Sequence, residues 1–143
     1  MKRDESLRPL SREHQGALAV AKRLSEADRR DAAVATLLEF WRADGRRHFR
    51  IEEEVLLPAW AVAAEVDRAG VERMLREHLE IRRQVLRAEA GAIELEELRQ
   101  LGSLLHDHVR FEERELFVAV EAALDAAALE RLGAAIEAAE AEG

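Results

Sequence analysis

The sequence predicts an all-α fold, an up-down-up-down four-helix bundle with a short additional C-terminal helix, and three observations carry that expectation. Ala, Leu, Glu and Arg dominate the 143 residues, with only seven Gly, two Pro and no Tyr, and these are strong helix formers. Apolar residues recur in steps of three and four along four long segments. The linkers between those segments are short, which makes consecutive helices antiparallel neighbours. A chain of this length is expected to form one domain over residues 1–143, with a sizeable core.

The first helix is expected from Ser11, a candidate N-cap, to Glu26, with His14, Ala17, Leu18, Ala21 and Leu24 on one face. Asp31 can cap the second, which should run to Leu57 and stop at Pro58 for want of a backbone donor. Its inward stripe reads Val34, Leu38, Trp41, Gly45, His48, Glu52 and Val55. A short helix over Trp60–Val66 should follow. The third helix is expected over Val71–Ala90, turning Val71, Met74 or Leu75, His78, Ile81 and Val85 inward, and Gly91 ends it. The fourth should span Glu94–Ala123, through Leu98, Leu101, Leu105, His108, Glu112 and Leu116. A final alanine-rich helix, about 127–142, carries Leu129, Leu132 and Ile136 on one side and either pads the bundle end or frays.

Bulk properties exclude several function classes. The formal net charge of −8 argues against nucleic acid or an anionic membrane as partner. With no cysteine, disulfides, thiolate zinc sites, iron–sulfur clusters and thiol redox chemistry are ruled out. No apolar run approaches the roughly 20 residues of a membrane span. The opening Met1-Lys2-Arg3-Asp4-Glu5 lacks the apolar stretch of a secretory signal, so the expected location is cytoplasmic. Oligomeric state is not legible.

The chemistry lies in a duplication. His48-Phe49-Arg50-Ile51-Glu52-Glu53 and His108-Val109-Arg110-Phe111-Glu112-Glu113 agree at His, Arg and both Glu positions. Arg12-Glu13-His14 and Arg76-Glu77-His78 repeat upstream of them. The interval from His14 to His48 exceeds that from His78 to His108 by four residues, as a shorter interhelical loop would produce. Tandem helix pairs pack about an approximate two-fold axis, which would bring both sets to one point.

On a helix, positions i and i+4 lie about 40° apart, so His48 and Glu52 share a face, as do His108 and Glu112. Four imidazoles and two carboxylates then point into a bundle core, an expensive arrangement unless metal ions satisfy them. Nitrogen and oxygen donors of this kind favour iron, manganese or zinc. One His-x3-Glu in so glutamate-rich a chain means little; two in matching context, each on an apolar stripe, mean more. Glu53 and Glu113, one step further round, are expected in solvent. His106 lies about 200° from His108 on the helix and belongs on the surface. Trp41 and Phe111 read as core packing. Gly45 either makes room near the site or reflects loose packing.

These residues resemble the hemerythrin-like family, the HHE cation-binding domain, over about residues 7–120. The resemblance implies a four-helix bundle with a non-haem, carboxylate-bridged diiron centre, iron being favoured over zinc or manganese. His14 and His48 would hold one iron, His78 and His108 the other, with Glu52 and Glu112 bridging. Oxygen-carrying members take two histidines one turn apart from the third helix, whereas this chain has Met74 and Arg82 either side of His78. Carriers also place an Asp five residues after the last histidine, where this chain has Glu112 at four. With fewer protein ligands, both irons would be more open. That implies binding of, or reaction with, oxygen, peroxide or nitric oxide rather than reversible carriage. The alternative is an iron-responsive sensing or iron-handling module without catalysis; a metal-free helical scaffold is the third possibility. A ferritin-like centre is disfavoured, because that design reads Glu-x-x-His, acid first and three apart.

Overall fold

Local signals account for where most helices start and stop. The computed structural model describes residues 2–143. A 3₁₀ turn, Glu5–Leu7, begins the chain, with the Asp4 carboxylate accepting from Ser6 N at 2.9 Å. Helix α1 is Arg8–Ser25, and Pro9 sits in its first turn, where a missing donor costs nothing. Ser11 is therefore inside the helix instead of capping it, and its hydroxyl donates to Glu113 across the interior at 2.7 Å.

Helix α2 is one rod over residues 30–63, interrupted twice by π turns: Arg30–Phe40, Trp41–Gly45, Arg46–Ile51, Glu52–Leu56 and Leu57–Ala63. Arg46 N and Leu57 N each bond a carbonyl five residues back. This corrects three expectations. Asp31 does not cap the rod; it is exposed and pairs with its neighbour Arg30. Pro58 does not end it, because after the second π turn it falls in the first turn of a new α-helical stretch, where no donor is demanded. The separate helix expected at Trp60–Val66 is the tail of the same rod. The π turns also lengthen the step between buried positions, so Ala33, Leu37 and Leu56 face in while Val34, Leu38 and Val55 are half-buried.

Helix α3, Arg68–Glu89, is capped by Asp67, which accepts from Gly70 N. Met74 is fully buried and Leu75 is 42% exposed, which decides between those two inward candidates. Gly91, at φ 71°, closes the helix as only glycine does cheaply. Helix α4 spans residues 95–123 as Leu95–Phe111, a third π turn at Glu112–Leu116, and Phe117–Ala123. Glu94 and Glu97 form its capping box. Helix α5, Ala126–Glu142, starts from the Asp125 cap.

The interior has two apolar clusters. Leu24, Leu37, Phe49, Ile81 and Leu105 belong to the first. Leu7, Leu10, Trp60, Phe117, Leu132 and Ile136 belong to the second. Helix α5 thus pads the core. Helix α1 packs along α4 so closely that a Cβ on Gly102 would lie 2.6 Å from Ala21 O. No helix of the described residues is long and apolar enough to cross a membrane.

Candidate metal centre

Each of the helices α1 to α4 delivers one histidine to a single interior point, and α2 and α4 each add a glutamate one turn later. His14, His48, Glu52, His78, His108 and Glu112 are all buried. Their donor atoms form two groups, His14, His48, Glu52, Glu112 and Glu52, His78, His108, Glu112, each with all ligand atoms within 4.8 Å of one another. The two glutamates belong to both. Glu52 Oε2 lies 3.1 Å from His48 Nε2, while its Oε1 lies 3.1 Å from His78 Nε2. Glu112 Oε1 lies 2.9 Å from His14 Nε2, while its Oε2 lies 3.1 Å from His108 Nε2. Each carboxylate therefore straddles the two histidine pairs. Both π turns that follow a His-x3-Glu begin at that glutamate, Glu52 or Glu112. Such turns recur at functional sites because they re-aim side chains.

The opposite edge of every imidazole is held by a second carboxylate from another helix. His48 Nδ1 donates to Glu13 of α1 at 2.9 Å, and His78 Nδ1 to Glu53 of α2 at 2.6 Å. His108 Nδ1 donates to Glu77 of α3 at 2.8 Å, and His14 Nδ1 to Glu113 of α4 at 2.6 Å. The four bonds close a ring, α1 to α2 to α3 to α4 and back to α1. Each of these glutamates adjoins an inward residue of its own helix in sequence. Each is in turn clamped by an arginine: Arg47 on Glu13, Arg82 on Glu53, Arg73 on Glu77 and Arg3 on Glu113. The expectation that Glu53 and Glu113 stand in solvent is thus corrected. One helical step from an inward residue carries a long side chain to the next helix, and the imidazole edge there supplies a donor. The signal was present in the sequence, because both copies of the duplication end in paired glutamates.

The electrostatics follow from this crowding. Burial disfavours an imidazolium at His48, but the charge of Glu52 and hydrogen bonds with Glu13 and Glu52 outweigh it and lift the pKa to about 10. Against the same pull, Glu112 and Glu77 lift His108 to about 9. His14 rises through Glu112 and Glu113, and His78 rises well above its ordinary value beside Glu112, Glu52 and Glu53. Burial pushes Glu112 up, yet the imidazoles around it hold it well below the usual carboxylate range. Glu13, Glu53, Glu77 and Glu113 are likewise lowered, because their histidine and arginine partners outweigh burial.

The donor set fits a cation. Glu52 Oε1, His78 Nε2, His108 Nε2 and Glu112 Oε2 are buried without a hydrogen-bond partner. His78 Nε2 and Glu52 Oε1 are close but out of line for a hydrogen bond. Four convergent buried polar atoms without hydrogen-bond partners are costly in a protein interior, and coordination of the deprotonated side chains to a metal satisfies all of them. Phe49 stacks on His78 at 3.8 Å and Phe117 on His14 at 5.3 Å, fixing two of the rings. Trp41 and Phe111 are buried core residues. His106 lies on the surface and pairs with Asp107. Gly45 makes room: a Cβ there would lie 2.9 Å from both the Phe40 and Trp41 rings.

A family model described as the hemerythrin HHE cation binding domain matches residues 6–120. No curated protein and no solved structure matches the chain. The matched span holds all six buried histidines and glutamates, the ring of outer carboxylates, helices α1 to α3 and α4 as far as residue 120. The chain belongs to the hemerythrin HHE cation-binding domain family.

Proposed function

We propose that this chain is a single hemerythrin-like domain, an up-down-up-down four-helix bundle closed by α5, that holds two non-haem iron ions and binds or reacts with oxygen, peroxide or nitric oxide. His14 and His48 would hold one ion, His78 and His108 the other, with Glu52 and Glu112 bridging. The observation that carries this reading is the straddling of the two histidine pairs by two buried carboxylates. One ion would leave half of those donors unpaired.

Bound iron would supply a redox-active Lewis acid with positions open to a small ligand. The chain's own groups do the rest. The outer carboxylates hold each Nδ1 proton, so that each Nε2 presents its lone pair inward. Phe49, Phe117 and the surrounding core keep bulk water from the centre. Only two histidines and two shared carboxylates serve each ion, which favours chemistry at open positions over guarded, reversible carriage. Met74, one turn from His78, is packed in the apolar core. Arg82, one turn the other way, is engaged with Glu53, so neither completes the ligand set.

The test is elemental analysis of anaerobically purified protein, with absorption spectra before and after oxygen, peroxide or azide. About two irons per chain and a ligand-to-metal band are expected. Absence of stoichiometric iron would remove the proposal, and stoichiometric zinc would replace the metal. An iron-responsive module without turnover is the second reading. It is favoured by the delivery of ligands from all four long helices, which ties occupancy to stability. A melting temperature indifferent to chelator would count against it.

A further inference from the structure

We infer that a narrow apolar cleft between α1, α2 and α4 is the route by which a ligand reaches the centre, and that it passes small uncharged molecules while holding back hydrated anions. This rests on the metal-centre reading above and names the ligand class that the centre meets. At the cleft's inner end are His14, His48 and His108. Its walls are the buried side chains of Ala17, Phe49, Leu105 and Val109. Its mouth is formed by the half-buried Phe40 and Glu13 and the exposed Asp44. Elsewhere aromatic rings lie flat against the histidines, Phe49 on His78 and Phe117 on His14.

Two features make the cleft selective. It has room for about one water-sized molecule, which suits a diatomic gas or hydrogen peroxide. Its walls offer no hydrogen-bonding group, so an ion entering would shed its hydration shell without replacement. At the mouth, Arg47 pairs with Glu13 at 2.9 Å and with Asp44 at 3.4 Å, which holds both carboxylates outside the apolar walls.

The mouth is also where the two halves of the chain differ. The π turn Trp41–Gly45 sets Phe40 and Trp41 against Gly45, with contacts that a Cβ would crowd at 2.9 Å. The matching stretch of α4, residues 101–105, lies within the uninterrupted α-helix Leu95–Phe111. The His-x3-Glu pattern recurs further along α4, at His108 and Glu112, while the backbone that shapes the entrance does not recur.

Two substitutions probe the route from opposite directions. Phe40→Ala widens the mouth, and Ala17→Leu fills the cleft; Val109→Ile narrows it from the other wall should the larger change disturb folding. In iron-loaded protein, association of nitric oxide and of azide is followed by stopped-flow absorption, with iron content and the resting spectrum as controls. Phe40→Ala should speed azide about tenfold while changing nitric oxide little, because only the ion faces a desolvation barrier. Ala17→Leu or Val109→Ile should slow both. Metal-free crystals pressurised with krypton should show the gas between Ala17 and Phe49, and the filled variant should not. Equal azide rates with and without Phe40, or no krypton in the unaltered cleft, would overturn the route. A chain that holds no iron refutes the reading of the centre; one that holds iron, with rates indifferent to these changes, refutes the entrance alone.

Discussion

Glu53 of α2 accepts the Nδ1 hydrogen of His78 on α3 at 2.6 Å, while Arg82 holds the same carboxylate oxygen from outside at 2.6 Å. The bond does two things at once. It fixes the tautomer and angle of a buried imidazole, and it ties α2 to α3 beside the contact of Glu52 with the inner nitrogen of the same ring. Glu53→Ala leaves a buried donor without a partner, which costs about 1–3 kcal/mol of stability. It should also weaken metal binding by about 10–100-fold. Chelator competition and urea unfolding measure the two separately. An unchanged metal affinity would show that the ring is only a structural tie.

The raised histidine values set a pH dependence with a definite sign. His48 and His108 move from an ordinary value of 6.5 to about 10 and about 9 when folded. A raised folded value means that the protonated form stabilises the fold. That contribution is complete below pH 6.5 and is lost as pH climbs through 9 to 10. The metal-free protein should therefore melt at progressively lower temperature from neutral to alkaline pH. Metal affinity should move the opposite way, because neutral imidazoles are the ligands, and uptake should release protons. Calorimetric titration in buffers of different ionisation heat counts those protons. A metal-free melting temperature that rises over this range would contradict the charge assignment.

Replacing both straddling carboxylates, Glu52→Gln with Glu112→Gln, removes the charge that faces four buried imidazoles. The double variant should lose stoichiometric metal. Its metal-free form should also be less stable, since raised imidazolium groups are left uncompensated. Elemental analysis and thermal melts test this together. A double variant that melts higher than the parent would favour a scaffold with incidental histidines.

Helix α5 lies beyond the matched residues 6–120, yet Leu132 and Ile136 are buried in the second core cluster. Ile136→Ala should cost about 2–5 kcal/mol in urea unfolding through the cavity it leaves. Metal affinity of the folded variant should stay near the parent's, because no centre residue lies on α5. Loss of metal at full folding would mean that α5 reaches the centre.

Much of the fold was legible because its signals are local. Gly91 ends α3 by adopting a positive φ and Glu94 caps α4 where the sequence places those boundaries, whereas the Asp67 cap starts α3 at Arg68, ahead of the expected Val71. Ser11 and Asp31 are equally good caps by composition and cap nothing, because Pro9 starts α1 earlier and α2 begins without a side-chain cap. Pro58 stopped the expected helix but not the actual one. A π turn depends on packing around Glu52 and on bonds five residues back, and no residue type announces it. The same turns shifted the inward stripe from Val34 and Leu38 to Ala33 and Leu37.

At the centre, the sequence alone determined which six side chains share inward faces, because helical periodicity turns spacing into direction and the duplication repeats that spacing. Only the tertiary structure decided what stands behind them. Glu13, Glu53, Glu77 and Glu113 each leave their own helix to meet an imidazole on another, and Phe40 lies over Gly45 at the mouth of a cleft. Spacing along a chain fixes angles within one helix. The partner across an interface depends on how four helices are set against each other, and that setting is a property of the packed core.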